Sequence, residues 1–305
     1  MLSKPSPRHL ALKLLTCLLR PLIGSGLGNI RLLDSLFRHL TSLLISKRFV
    51  VTDVNGYKLG MDIGGSSGLD TLARGVLSGG GYEPQTTELF REVVKLGMTV
   101  VDVGAHIGYY TILASKLVGP GGKVFAFEPE PNNYADLKRN IELNRSANVV
   151  ALCKAVSNKD GRARLFTTPG SSGECSLVEV EGRPKMSIGV EIVTLDDVLG
   201  GMVVDAMKID VDGGEMVALS GAERLLERSR GIKLFTEFWE PGLKSAGYSC
   251  MEYWDRLVGY GFEHVYLIDE KKRRVWQTDL DGVLGYLKKA NGVNLLCSRE
   301  AVVVC

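Results

Sequence analysis

The chain has 305 residues, 45% hydrophobic and 24% charged, a composition that excludes disorder over most of its length; its 36 glycines follow no G-x-y period, which excludes a collagen. The net charge of +2 is unevenly placed: residues 1–50 carry eight Lys/Arg against Asp34 alone, giving +7, and the remaining 29 basic and 34 acidic residues leave a body of −5. A body of that sign is no basic grip for nucleic acid, whereas the basic arm suits an anionic surface such as a membrane.

In chain order, 8–20 and 29–47 are Leu-rich with Lys or Arg returning every few positions. They predict two amphipathic helices divided by Pro21 and the Gly24–Gly28 run. Two roles fit them, a helical cap packed on the main domain or an interfacial pair lying on lipid. The apolar stretch at 10–19 is interrupted by Lys13 and falls short of the ~20 residues of a spanning helix. No small-residue cleavage site follows it, so a signal peptide is not expected. Residues 49–63 alternate around Asn55-Gly56, a hairpin signal. Seven glycines in 64–81 mark a connection with a short helix near 69–77. Three parts are therefore expected: a helical extension over 1–48, a hairpin and Gly-rich connection over 49–81, and the main domain over 82–305.

Within that domain the pattern alternates. Helices are predicted at 85–96, 110–118, 132–144, 216–227, 250–260 and 280–289. Strands are predicted at 99–103, 123–127, 149–152, 206–209, 232–238, 264–268 and 273–277, with alternating short segments at 163–167 and 189–193 and an apolar segment at 293–297. Short apolar strands alternating with helices mean an α/β domain with a mostly parallel sheet. The six cysteines, Cys17, Cys153, Cys175, Cys250, Cys297 and Cys305, form no C-x-x-C pair and no zinc spacing. They read as reduced, mostly buried thiols of a cytoplasmic protein.

The strongest motif runs from Val100 to Thr111. An apolar strand enters a turn bounded by Gly104 and Gly108 and then a helix, the place where a doubly wound sheet binds its ligand. Glu128 follows Gly108 by 20 residues at the end of the next strand, where an acid accepts hydrogen bonds from both hydroxyls of a ribose. A dinucleotide turn needs a second glycine where this chain has His106, so a phosphate-free nucleoside fits better than NAD. S-adenosylmethionine combines such a nucleoside with a charged amino-acid tail, which Asp102 suits.

With these residues in place the chain resembles the FkbM family of class I S-adenosylmethionine-dependent methyltransferases. The resemblance is carried by Tyr82-Glu83-Pro84, by Val101 to Thr111, by Phe127-Glu128-Pro129-Glu130-Pro131, by Thr194-Leu195-Asp196-Asp197-Val198 and by Lys208 to Glu215, and it covers about 82–270. It implies a Rossmann-like sheet of seven strands with an antiparallel edge hairpin, and methyl transfer to a hydroxyl oxygen of a sugar, glycolipid or small natural product. By this resemblance the cofactor is held by Glu83, Asp102, Gly104, Ala105, His106, Gly108, Tyr110, Thr111, Glu128, Pro129, Ala155 and Asp210. The family often has Asn in place of His106, and usually Glu and a small residue in place of Asp212 and Gly214.

A hydroxyl is a poor nucleophile until its proton is accepted, so a positioned base is expected. Asp210 and Asp212 end one strand and Glu237 ends the next; these three acids are the catalytic candidates. Glu215 serves either the substrate or the dipole of the helix that it starts. Three oxygen ligands lie close together in 210–215, but not with EF-hand spacing, and no metal is expected. Trp239 stacks on a sugar or packs in the core. Two other readings compete: a methyltransferase for nucleic acid or protein, which should show a basic body or an Asn/Asp-Pro-Pro-Tyr motif, and a noncatalytic nucleoside-binding module, which has no use for the acids.

Overall fold

The computed structural model describes residues 49–303, apart from 55, 63–71, 73–74, 77–80, 170 and 184–185. The helices expected at 8–20 and 29–47 lie outside the described residues, as does most of the connection over 64–81.

Strands β1 (Phe49–Val54) and β2 (Tyr57–Asp62) form the hairpin, turning at Gly56 with φ +88°. The positive φ is why the turn uses glycine. The pair is a separate sheet, held on helix α3 (Pro131–Asn144) by two asparagines. Asn140 accepts from the Gly60 N–H at 2.7 Å and donates to the Gly60 carbonyl at 2.8 Å, and Asn144 binds both main-chain groups of Lys58. Each amide thus completes a strand edge that would otherwise lack partners.

The main sheet has eight strands. Five are parallel: β3 (Thr99–Val103), β4 (Lys123–Phe127), β5 (Val149–Leu152), β10 (Ala206–Ile209) and β11 (Lys233–Phe238). Beyond β11 lie β14 (Val293–Ser298), β12 (His264–Asp269) and β13 (Arg274–Thr278), each antiparallel to its neighbour. The order is β13-β12-β14-β11-β10-β3-β4-β5, one strand more than the seven expected, because β13 pairs along the free edge of β12. Val100, Val101, Met207 and Leu234 are wholly buried, since helices cover both faces. Sheets covered in this way have strands that read as continuous apolar runs.

One face packs against α1 (Pro84–Val93) and α2 (Tyr109–Val118), through Leu89, Phe90, Ile112 and Leu113. The other face packs Met207, Leu219, Leu225, Phe238 and Leu257 into a second core. The single helix expected at 216–227 is two, α5 (Glu215–Ser220) and α6 (Glu223–Arg228). They part at Gly221, where a Cβ would lie 1.9 Å from the Ser157 carbonyl oxygen. That approach comes from a distant segment and leaves no local periodic trace.

A four-stranded accessory sheet fills the chain between β5 and β10: β6 (Ala155–Val156), β7 (Gly161–Thr167), β8 (Cys175–Ser176) and β9 (Met186–Val193), in the order β6-β9-β7-β8. Of the four described cysteines only Cys297 is buried, and Cys153 is exposed, so the expectation of mostly buried thiols is corrected. Cys153 sits in a surface turn just past β5, beyond the reach of the core.

Candidate active site

Strand order reverses between β3 and β10, so their carboxyl ends open a crevice at the switch point. A cavity of about 390 Å³ occupies it, walled on the far side by the accessory sheet. Of the residues expected to hold the cofactor, Asp102, Gly104, Ala105, His106, Tyr110, Glu128, Pro129, Ala155 and Asp210 line this cavity. Asp212, a catalytic candidate, lines it as well. Glu83, Gly108, Thr111 and Glu237 do not.

The turn after β3 is built from conformations few residues adopt. Gly104 has φ +83°, and a Cβ there would lie 1.9 Å from the Asp210 carbonyl oxygen, so the two strand ends touch through its missing side chain. His106, with a side chain, also takes a positive φ of 51°. Its N–H donates to Glu128 Oε2 at 2.8 Å, and its ring Nε2 meets Ser172 Oγ at 3.1 Å. Glu128 Oε1 accepts from the Glu130 N–H at 2.9 Å. Two main-chain donors therefore fix the carboxylate, and each oxygen keeps a lone pair for a ligand hydroxyl. Burial pushes the Glu128 carboxyl up to about 7, against those two hydrogen bonds.

Behind the turn, Thr111 Oγ1 donates to Asp102 Oδ2 at 2.6 Å, and burial raises the Asp102 pKa. Gly108 caps α2, and a Cβ there would strike Leu137. Glu83 accepts from the Tyr110 hydroxyl at 2.8 Å and from Asn294 Nδ2 at 2.9 Å, so it orients a wall residue from outside the cavity.

The second acidic group surrounds the end of β10. Asp210 Oδ2 lies 2.5 Å from Lys208 Nζ, which also sits 4.7 Å from the centre of the Tyr110 ring. Burial disfavours the Lys208 ammonium, but Asp210, Glu83 and Asp102 outweigh it and the pKa is raised. Asp212, at φ +52°, is paired with Arg183 at 3.2 Å. Burial, opposed by that guanidinium, puts Asp212 at about 6. Arg183 also lies 4.6 Å over the Trp239 ring. Trp239 is half-buried, and one face of its ring carries this cation.

Glu215 is wholly buried; its Oε1 accepts from the N–H groups of Val211 and Gly213, while Oε2 has no partner among the described residues. Burial puts Glu215 at about 7. Burial, with Asp210, Glu215 and Asp212 close by, raises the pKa of Glu237 strongly. Among the described residues no three His, Cys, Asp or Glu converge as metal ligands.

Reading the sequence missed Lys208, Leu177 and Val178 as site residues, all in the cavity wall, while Tyr82, from the Tyr82-Glu83-Pro84 motif, lines it too. A lysine inside the otherwise apolar strand Ala206–Ile209 was the available signal for the first. No local pattern places Leu177 and Val178.

The arrangement fits a nucleoside carrying a cationic tail. Its floor holds three carboxylates, Asp102, Glu128 and Asp210, and the turn's N–H groups at Gly104, Ala105, His106 and Gly108 are already engaged within the protein. Fold and site together define a doubly wound protein with a nucleoside-cofactor cleft. The family model of the methyltransferase FkbM domain matches residues 102–264, and the chain belongs to that family. S-adenosyl-L-methionine is its cofactor.

Two relatives are each 31% identical. Methyltransferase sdnD of Sordaria araneosa aligns over 175 residues, 47% of this chain and 66% of that protein. The 31-O-demethyl-FK506 methyltransferase FkbM of Streptomyces tacrolimicus aligns over 161 residues, 43% of this chain and 61% of that protein. The chain thus spans less than two thirds of the length of these relatives. The crystal structure of methyltransferase FkbM from Methylobacillus flagellatus KT is 15% identical, with a TM-score of 0.42, covering 74% of this chain and 52% of that one.

Proposed function

We propose that the protein transfers a methyl group to a hydroxyl oxygen of a small acceptor, a sugar, glycolipid or natural product. The observation that carries this is the meeting of Glu128, from the end of β4, with Asp210 and Asp212, from the end of β10, in one cavity. When bound, S-adenosylmethionine supplies an electrophilic methyl group on a sulfonium. Glu128 would hold the ribose hydroxyls, Asp102 would face the ammonium of the tail, and Ala155 would lie along the adenine.

The chain's own part is to orient the acceptor and take its proton. Asp210 is the better-placed base: it lines the cavity, and Lys208 Nζ holds its Oδ2 at 2.5 Å. Asp212 is committed to Arg183, and Glu237 stands outside the cavity in an environment that favours its neutral form. The name of the FK506 relative, an O-methyltransferase on a natural product, agrees with this reading.

The test is calorimetric titration with S-adenosylmethionine and with NAD, for the wild-type protein and Glu128→Ala. Binding of S-adenosylmethionine alone, weakened about tenfold or more by the loss of a charge-assisted hydrogen-bond acceptor, is the expected result. Binding of NAD alone would overturn the reading. An acceptor screen among sugars and polyketides then follows, with methyl incorporation as the readout.

A further inference from the structure

The strand that exceeds the expected seven brings a charged surface with it. Strand β12 runs antiparallel to β14, which runs antiparallel to β11, so β12 points the same way as β11. Its end at Asp269 therefore lies on the edge of the sheet that carries the cavity. There the turn into β13 holds Lys271, Lys272, Arg273 and Arg274, all exposed. Helix α9 (Leu280–Leu287) packs back along β13: Tyr286 meets Trp276 at 6.4 Å between ring centres, and Asp269 hydrogen-bonds its hydroxyl. The end of α9 is thereby brought beside the turn, adding exposed Lys288 and Lys289.

The two nearby acids are otherwise engaged. Asp269 accepts from the N–H groups of Lys271 and Lys272, with the Lys272 ammonium 3.8 Å away. Glu270 accepts from the N–H groups of Gln85 and Thr86, at the start of α1. Among the described residues, Lys271, Arg273, Arg274, Lys288 and Lys289 form no ion pair. Trp276, on the same strand, is 37% exposed, an amphipathic ring at the border of a cationic field.

We propose that this face, Lys271–Arg274 with Lys288, Lys289 and Trp276, is a docking surface for an anionic membrane. Clustered cations are drawn to acidic headgroups, and tryptophan settles at the headgroup level. A lipid surface is favoured over nucleic acid by the charge outside this face: the chain beyond residue 50 is net acidic even with the six cations included. A long polyanion wrapping such a body would meet repulsion, whereas a plane touches one edge alone. Docking here turns the cavity-bearing edge of the sheet toward the bilayer.

The test uses the full-length protein and vesicles of phosphatidylcholine with or without phosphatidylserine. Partitioning is expected on the anionic vesicles and to fall with added salt. Replacing Lys271, Lys272, Arg273 and Arg274 together with Gln should lower it about tenfold or more, given the attraction of each basic residue near a charged leaflet. An unchanged near-ultraviolet spectrum and thermal transition would establish that the variant is folded. Lipids brominated near the headgroup should quench tryptophan emission in the wild type and markedly less in Trp276→Phe, which keeps Trp239 and Trp254. Three results would each overturn the proposal: equal partitioning of the wild type and the fourfold variant, equal quenching with and without Trp276, or retention of a structured RNA with no binding to anionic vesicles.

Discussion

Three of the site's acids, Glu128, Asp212 and Glu215, are raised by burial to about 7, 6 and 7, and this fixes a direction for stability. An acid whose pKa is higher in the folded chain than in the unfolded one holds its proton more tightly when folded. It therefore favours folding at low pH and loses that advantage as pH rises toward the folded pKa. The cofactor-free protein should lose stability between about pH 4 and pH 7. In Glu215→Gln one amide atom can keep the bonds to Val211 and Gly213 while the other no longer has to carry charge without a partner. The variant should flatten the fall and be more stable at pH 8, by on the order of 3 kcal/mol or less. Denaturant unfolding at several pH values checks this, and a pH dependence unchanged by the substitution would contradict it. At Asp210 the expectation is kinetic. Asp210→Asn should lower kcat by about 10²–10⁴, well beyond any loss in cofactor affinity, since it removes the proton acceptor and keeps the shape. An equal fall in kcat and in S-adenosylmethionine affinity would reduce Asp210 to a binding role.

Helix α1 shows an element completed from elsewhere. Its cap residue, Glu83, has φ 42° and turns its side chain away toward Tyr110 and Asn294, so it makes no cap bond. Glu270, from the turn between β12 and β13, supplies the missing acceptors for the first N–H groups. Glu270→Ala should cost about 1–2 kcal/mol, as lost caps do, and loosen the hold of Glu83 on the wall residue Tyr110. Denaturant unfolding together with cofactor titration would register both effects; unchanged stability would show that water replaces the carboxylate. This cap was not legible in the sequence, because its partners stand 184 and 185 residues apart. What was legible was local: β3, β4, β5 and β10 fall on the expected boundaries because each is a short apolar run stopped by a glycine, an acid or a polar turn. The break at Gly221, the pairing of Asp212 with Arg183 and the seat of Arg183 on Trp239 were illegible for the same reason as the cap. Each depends on a neighbour that only the folded chain brings close. Glu237 shows the limit from the other side: its place at a strand end was readable, but its exclusion from the cavity was not.

At the scale of the whole molecule the charge is divided between an arm and an edge. Residues 1–50 carry +7, and the proposed docking edge carries six further cations on a body that is net acidic. If both meet one leaflet, they should act as two linked contacts, the first raising the effective concentration of the second. Neutralising the cations of 1–48 in the full-length chain should weaken flotation with anionic vesicles, and combining this with the fourfold edge variant should abolish it. A combined variant that floats as well as the wild type would dismiss both contacts. Among the described residues no helix is long and apolar enough to cross a membrane. An attachment made through exposed cations should weaken as salt is added.

The accessory sheet has a further consequence, for how such an enzyme could diversify. Strands β6 and β9 lie side by side in parallel, Ala155 opposite Ile192 and Val156 opposite Val193, and the Ser157 N–H donates to the Val193 carbonyl at 2.8 Å. The chain thus leaves the main fold and rejoins it at one spot, and what lies between forms a wall of the cavity through Leu165, Ser172, Cys175, Leu177 and Val178. A segment whose two ends already touch can be lengthened, shortened or exchanged without moving β3, β4 and β10. Evolution, or a protein engineer grafting this one stretch between relatives, would be free to change which molecule is modified while the chemistry stays in place.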